Sequence, residues 1–139
     1  MLLDNHGVGN HGVGPGLTLR SAERSTGTLI RISFLYPYVK HARFDFDYYV
    51  KTHMPWSIGI FNAHPAFRGV SVERGIGGAA GAEPAYVAVC HFLFETLDDF
   101  MAAVVPNSDA LRADMKNYTD IEPVVQISDV LICQGPGEA

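Results

Sequence analysis

Two cysteines, one tryptophan and ten basic residues are what this 139-residue chain has little of, and each scarcity removes a class of function. Cys90 and Cys133 are too few for a disulfide framework, and neither sits in a C-x-x-C pattern. The ten Lys and Arg residues are scattered, with no two adjacent, against fifteen Asp and Glu. The net charge of -5 and pI near 5.6 leave no electrostatic footprint for nucleic acid or an anionic membrane. No apolar run reaches the roughly 18 residues that a membrane span needs. Met1-Leu2-Leu3-Asp4 has no basic n-region and no h-region, so the start does not read as a secretory signal. Reduced thiols in a cytoplasmic protein are the resulting expectation.

What is present is apolar. Hydrophobic residues make up 47% and charged residues 18%, a composition that folds. The length suits one domain with one core. Residues 1–26 differ from the rest. Asn5-His6-Gly7-Val8-Gly9 repeats as Asn10-His11-Gly12-Val13-Gly14, with no apolar periodicity. This stretch reads as a flexible Gly-rich tail or an over-long start. The folded domain is expected over 27–134, with a short tail at 135–139.

Leu29 to Tyr36 is rich in Ile, Leu, Phe and Tyr and predicts the first strand, closed by Pro37. Asp45 is a plausible N-cap for a helix that places Phe46, Tyr49, Val50 and His53 on one face. Pro55 removes a backbone donor, so that helix is expected to kink or end near Met54 and to resume over Trp56 to Phe61. Phe67 to Arg74 alternates as a second strand, with Phe67, Gly69, Ser71 and Glu73 on one face. Pro84 to Phe94 predicts the third. Thr96 and Asp99 form a capping box for a helix burying Leu97, Phe100, Met101 and Val104. A short helix over Ser108 to Lys116 and a last strand over Val124 to Cys133 complete the order β-α-β-β-α-β. That order is the ferredoxin-like split βαβ arrangement, an α+β fold with a four-stranded antiparallel sheet.

The third strand carries an argument about assembly. Tyr86, Ala88, Cys90, Phe92 and Phe94 form one face, and Val87, Val89, His91 and Leu93 the other. Both faces are largely apolar, as in strands buried on two sides. Two helices cover one side only. The other side needs a partner, and a second copy of the same sheet is the simplest one. Burying roughly 500 Å² of apolar area per subunit contributes on the order of 12 kcal/mol before association costs. A homodimer is therefore expected.

Gly75-Ile76-Gly77-Gly78-Ala79-Ala80 fits a loose dinucleotide fingerprint, but the loop leads through Pro84 into a strand, where the fingerprint requires a helix. A hairpin connection is the better reading, and no cofactor is expected. No G-x-S-x-G elbow and no His or Cys pair at metal-ligand spacing occurs in the sequence. His53 lies where the first helix is interrupted, and its ordinary pKa suits proton transfer near neutrality. It reads as a general acid or base, or as a helix-end His bonded to a carbonyl. His91 reads as a pocket wall on the sheet face away from the helices, or as a dimer contact. Tyr48, Tyr49, Trp56 and Tyr118 offer aromatic surface for a small apolar ligand or for the core. Asp114 and Asp120 read as acids or bases, or as solvated helix and turn residues.

Three stretches resemble the EthD family. Phe44-Asp45-Phe46-Asp47-Tyr48-Tyr49-Val50-Lys51-Thr52-His53-Met54-Pro55 is similar to that family's Asp-x-x-Tyr-Tyr followed by His-x-Pro. Phe92-Leu93-Phe94-Glu95-Thr96-Leu97 is similar to its strand-to-helix segment, and Asp114-Met115-Lys116-Asn117-Tyr118-Thr119-Asp120 to its Asp-x-x-Asn-aromatic-Thr-Asp segment. The resemblance spans roughly Thr28 to Cys133. One departure is Trp56, where Leu is more usual. The resemblance implies a homodimeric α+β barrel with two sheets facing each other. The family is named for a role in ethyl tert-butyl ether degradation, and its members are often labelled reductases. Related barrels include cofactor-free monooxygenases, isomerases, cyclases and decarboxylases, among which fold alone does not choose.

These observations converge on a small-molecule enzyme, an oxidoreductase of small-molecule catabolism or a cofactor-free isomerase, cyclase or decarboxylase. Its pocket is expected between the sheet and the first helix. His53 and Asp114 are the catalytic candidates, and Tyr49, Trp56, His91 and Tyr118 the substrate-binding ones, with no metal. The alternative is a non-catalytic accessory protein that binds a hydrophobic ligand.

Overall fold

The computed structural model describes residues 29–137. The repeated Asn-His-Gly-Val-Gly segment, and the boundary expected near residue 26, lie outside the described residues. Within them the chain runs β1 (Ile30–Pro37), α1 (Phe46–Tyr48), a π-helical turn (Tyr49–His53), α2 (Met54–Asn62), β2 (Phe67–Arg74), β3 (Tyr86–Phe94), α3 (Leu97–Val104), α4 (Ser108–Asp114) and β4 (Val124–Asp129). A 3-10 turn, Met115–Asn117, follows α4. The strands form one antiparallel sheet in the order β2-β3-β1-β4. This is the α+β, ferredoxin-like architecture expected from the element order.

Strand alternation decides what faces the helices. Ile30, Ile32, Phe34 and Tyr36 of β1 and Ala88, Cys90, Phe92 and Phe94 of β3 are buried beneath them. Phe61 from α2 joins this layer, with ring centroids 4.6 Å from Phe92, 5.6 Å from Phe94 and 5.7 Å from Phe100 of α3. The opposite face carries Arg31 and Leu35 of β1 and Val87, Val89, His91 and Leu93 of β3, all half-buried. The caps form as expected. The Asp45 carboxylate accepts from the Tyr48 N–H at 3.1 Å, and Thr96 accepts from the Asp99 N–H at 3.1 Å while its hydroxyl donates to the Asp99 carboxylate at 2.7 Å.

The first helix has its expected interruption just before Pro55, as a π turn after which it resumes. The Met54 N–H bonds to the Tyr49 carbonyl, an i→i+5 link, and the wider turn absorbs the donor that Pro55 lacks. Four expectations change. The same widening leaves Val50 52% exposed, while Tyr49 and His53 go inward. In α3 it is Ala103, with Leu97, Phe100 and Val104, that is fully buried, and Met101 is only partly covered. In β2 a bulge between Phe67 and Gly69 breaks the alternation, with Gly69 at φ 143°. Phe67 therefore pairs beside Phe94 on the helix side, with Val70 and Val72, and only Gly69, Ser71 and Glu73 keep the far face. The last strand stops at Asp129, four residues early, and Leu131 and Ile132 stand 84% and 82% exposed.

Candidate functional site

The site grows out of the π turn. With Tyr49 and His53 four residues apart and turned inward, their rings stack at 5.9 Å. Tyr118 lies against both, 4.7 Å from His53 and 4.8 Å from Tyr49. Tyr118 is itself fixed by an OH···OH bond of 2.8 Å to Tyr36 of β1. Burial pushes the hydroxyls of Tyr36, Tyr49 and Tyr118 well above the ordinary phenol range, so none of the three is a phenolate near neutrality. Burial pushes the Cys90 thiol up to about 12, which removes it as a thiolate nucleophile.

The segment after α4 is held against the segment before α1. The Asp45 N–H donates to the Tyr118 carbonyl at 2.7 Å, and the Thr119 hydroxyl donates to the Arg43 carbonyl at 2.8 Å. Phe44 and Thr119 form an antiparallel bridge. These bonds bring the end of α4 over the π turn. There Asp114 Oδ2 lies 2.8 Å from His53 Nδ1. Its other oxygen, Oδ1, accepts from the Tyr48 hydroxyl at 2.7 Å and from the Asn117 amide at 2.9 Å.

Charge and tautomer follow from these contacts. Burial favours the neutral acid at Asp114, but the hydrogen bonds from His53, Tyr48 and Asn117 outweigh it and hold the carboxyl below its usual range. Asp114 is therefore a carboxylate, an acceptor only, and the proton between the two groups sits on His53 Nδ1. Burial lowers the His53 pKa, against an opposing pull from Asp114, so the imidazole is neutral at pH 7. Nε2 then carries a free lone pair. Side-chain exposure is 5% for His53 and 16% for Asp114, so the pair works largely out of water. Since the folded-state pKa of His53 lies below its unfolded value of 6.5, the unfolded chain binds the proton first as pH falls. His53 thus contributes stability above pH 6.5 that is lost on acidification below it.

A cavity lies beside His53 between the sheet and the helices, lined by Tyr36, Tyr49, Ser57, Phe61, Cys90 and Phe92 among others. Its volume of about 20 Å³ suits one water. A larger depression, about 330 Å³, opens on the opposite face of the sheet beside His91. The six expected site residues accordingly divide. His53, Asp114, Tyr49 and Tyr118 come together. Trp56 is 39% exposed and meets the edge of His53 at 6.1 Å, on the outer rim. His91 is on the other side of the sheet and cannot touch a molecule bound at His53. Asp120 stands apart as well, exposed and paired with Arg43 at 3.3 Å. Tyr48 and Asn117 were not among the expected site residues, although the Asp114-x-x-Asn117 spacing, one helical turn, was visible in the sequence.

The glycine-rich loop is the β2–β3 hairpin, closed by Gly75 N–H to the Val87 carbonyl at 2.9 Å, with a 3-10 turn at Ala79–Gly81 and no α-helix. Among the described residues no three His, Cys, Asp or Glu side chains are grouped to hold a metal, and no helix is long and apolar enough to cross a membrane.

Fold and site define the chain as an α+β, ferredoxin-like protein of the kind found in dimeric α+β barrels. It is 39% identical to an EthD-like protein from Ralstonia eutropha JMP134, over 77% of this chain and 96% of that one, with a TM-score of 0.72. The chain belongs to the EthD family. An ethyl tert-butyl ether D (EthD) family protein from Bacillus halodurans C-125 shares the fold at 19% identity, covering 76% of this chain and 100% of that one, with a TM-score of 0.55. A candidate antibiotic biosynthesis monooxygenase from Bordetella bronchiseptica shares it at 15% identity, 77% and 100% coverage and a TM-score of 0.52. No protein-family model and no curated protein matches the chain.

Proposed function

We propose that this protein is an enzyme acting on a small, largely apolar organic molecule, with His53 as general base and Asp114 as the group that orients it. The observation that carries this reading is the 2.8 Å contact between His53 Nδ1 and an ionised Asp114 in an aromatic wall. That geometry leaves Nε2 free to take a proton, and the carboxylate stabilises the imidazolium that results. Tyr49 lines the cavity, Tyr118 backs the rings of Tyr49 and His53, and Trp56 forms the rim. The reaction class is proton abstraction from a phenol or an activated C–H, the step that opens isomerisation, carbanion cyclisation and oxygenation of an electron-rich carbanion. A cavity for one water means that substrate enters by displacing the lining side chains.

The test is turnover of a panel of activated phenols and lactones by wild-type protein and His53→Ala. The variant is expected to lose about 10²–10⁴-fold in kcat/KM. Equal turnover removes His53 from the mechanism.

The protein is further proposed to act as a homodimer, joined through the sheet faces that the helices leave uncovered. Leu35, Val87, Val89 and Leu93 make the centre of that face apolar, which supports burial against a second copy. Sedimentation equilibrium is expected to give twice the 15.1 kDa of one chain, and Leu93→Arg to return it to a single chain mass. Wild-type protein that sediments as one chain at high concentration contradicts the dimer.

A further inference from the structure

Asp114 accepts from three side chains, and the proposed activity uses only one of these bonds, the one that Oδ2 accepts from His53. A carboxylate turns over a broad range about its Cβ–Cγ bond, so nothing in Asp114 itself aims Oδ2. Its other oxygen is held from two directions. Tyr48 closes α1, half-buried, with its backbone N–H capped by Asp45 and its ring stacked on Tyr118 at 6.5 Å. Its hydroxyl donates to Oδ1 at 2.7 Å. Asn117 closes the 3-10 turn after α4, and its amide donates to the same oxygen at 2.9 Å. The amide also donates to the Tyr48 oxygen at 3.4 Å. That contact occupies a lone pair of Tyr48 and leaves its O–H for Asp114. The bond to Asp114 holds the Tyr48 hydroxyl above the ordinary phenol range, so it remains a donor near neutrality. Three side chains from two segments thus close a triangle around one carboxylate oxygen.

We propose that Tyr48 and Asn117 are positioning residues: by holding Oδ1 they aim Oδ2 at His53 Nδ1, and so fix which nitrogen of the imidazole is bare. The inference rests on the reading of His53 as the base, since a bare Nε2 matters only to a proton that it accepts. The titratable groups packed against His53 are Asp114, Tyr49 and Tyr118, and of these Asp114 alone is charged near neutrality. Once Oδ2 turns away, neither phenol takes over its charge. The imidazole then loses the pull that raises its pKa and the acceptor that keeps its proton on Nδ1. A purely electrostatic role predicts the reverse. Removing two donors from a carboxylate that stays in place makes it a stronger acceptor, which draws the His53 pKa upward. Positioning and charge therefore give opposite shifts.

The double variant Tyr48→Phe/Asn117→Ala tests this, and the phenyl ring keeps the stack on Tyr118. Long-range 1H–15N correlation spectra of the full chain are expected to show the His53 proton shared between Nδ1 and Nε2, with a pKa below that of wild type. Tyr48→Phe alone, which keeps one donor, is expected to move both in the same direction by less. On the panel of activated phenols and lactones the double variant is expected to lose about tenfold or more in kcat, because misplacement by about 1 Å costs up to about 10²-fold. A His53 proton still wholly on Nδ1 with a raised pKa overturns the proposal. Lost activity with an unchanged tautomer overturns it as well. Failure of the base reading has a different mark, equal turnover in His53→Ala, and the tautomer in the double variant still decides the positioning.

Discussion

Replacing Asp114 by asparagine is expected to lower kcat/KM for any substrate that His53 serves by on the order of 10³–10⁴-fold while leaving the fold intact. The reason is the direction in which the new amide must sit. Oδ1 of Asp114 already accepts two donors, the Tyr48 hydroxyl and the Asn117 amide. An asparagine keeps both bonds only with its carbonyl oxygen there, so its NH2 turns toward His53. An NH2 donates to Nδ1 and forces the ring proton onto Nε2, the atom that the reaction needs bare. Loss of the carboxylate also removes the one pull that raises the His53 pKa, so the imidazole becomes still harder to protonate. Steady-state kinetics of Asp114→Asn beside a thermal melt checks both halves. A large loss of activity with an unchanged melt is the expected pair.

The largest expected effect on stability belongs to Phe61→Ala. Phe61 is 2% exposed and joins α2 to β2, β3 and α3 through Phe67, Phe92, Phe94 and Phe100. Removing the ring leaves a hole that four other rings cannot close by small shifts, at a cost of about 3–5 kcal/mol. That corresponds to a fall of roughly 15 °C or more in Tm for a domain of this size. Phe61 also lines the cavity beside His53, so the hole enlarges the space available to a ligand. Denaturant unfolding of the variant, with and without benzene, is expected to show partial recovery of the lost stability.

Much of this arrangement could be read from residue order, and the reasons are local ones. The period-2 pattern of β3 named its helix-facing side correctly from Ala88 to Phe94 because both neighbouring strands pair with it in unbroken register from Ala88 to Leu93, whereas Tyr86, beyond the shift at Pro37, is 37% exposed. Asp45 and Thr96 announced helix starts through side chains that reach only three residues ahead. β2 was misread on one face because a bulge at Gly69 inserts an extra residue, and alternation has no memory across such an insertion. Pro55 marked the place of the interruption but not its form. A missing N–H usually ends a helix, but here the ladder lengthens to i→i+5 and continues.

The site was legible in part. His53 stood out through its place before Met54-Pro55, and Asp114 through the family segment that contains it. Their contact spans sixty-one positions and depends on bonds such as Thr119 to Arg43 that no periodicity announces. The error over His91 was one of grouping. Its face was assigned correctly by alternation, yet it was placed in one pocket with His53, which the sheet separates from it. Tyr48 went unselected because its role is a single hydroxyl contact to Asp114, and its ring suggested core or ligand surface instead.

The claim on which the functional reading rests is the protonation of one ring, and it can be measured without knowing a substrate. Long-range 1H–15N correlation spectra of uniformly labelled protein report which nitrogen of each histidine carries its proton and follow each through a pH titration. The account predicts that His53 is neutral at pH 7 with its proton on Nδ1, and that it titrates below 6.5. A proton on Nε2, or a His53 that is still charged at pH 7, would contradict it.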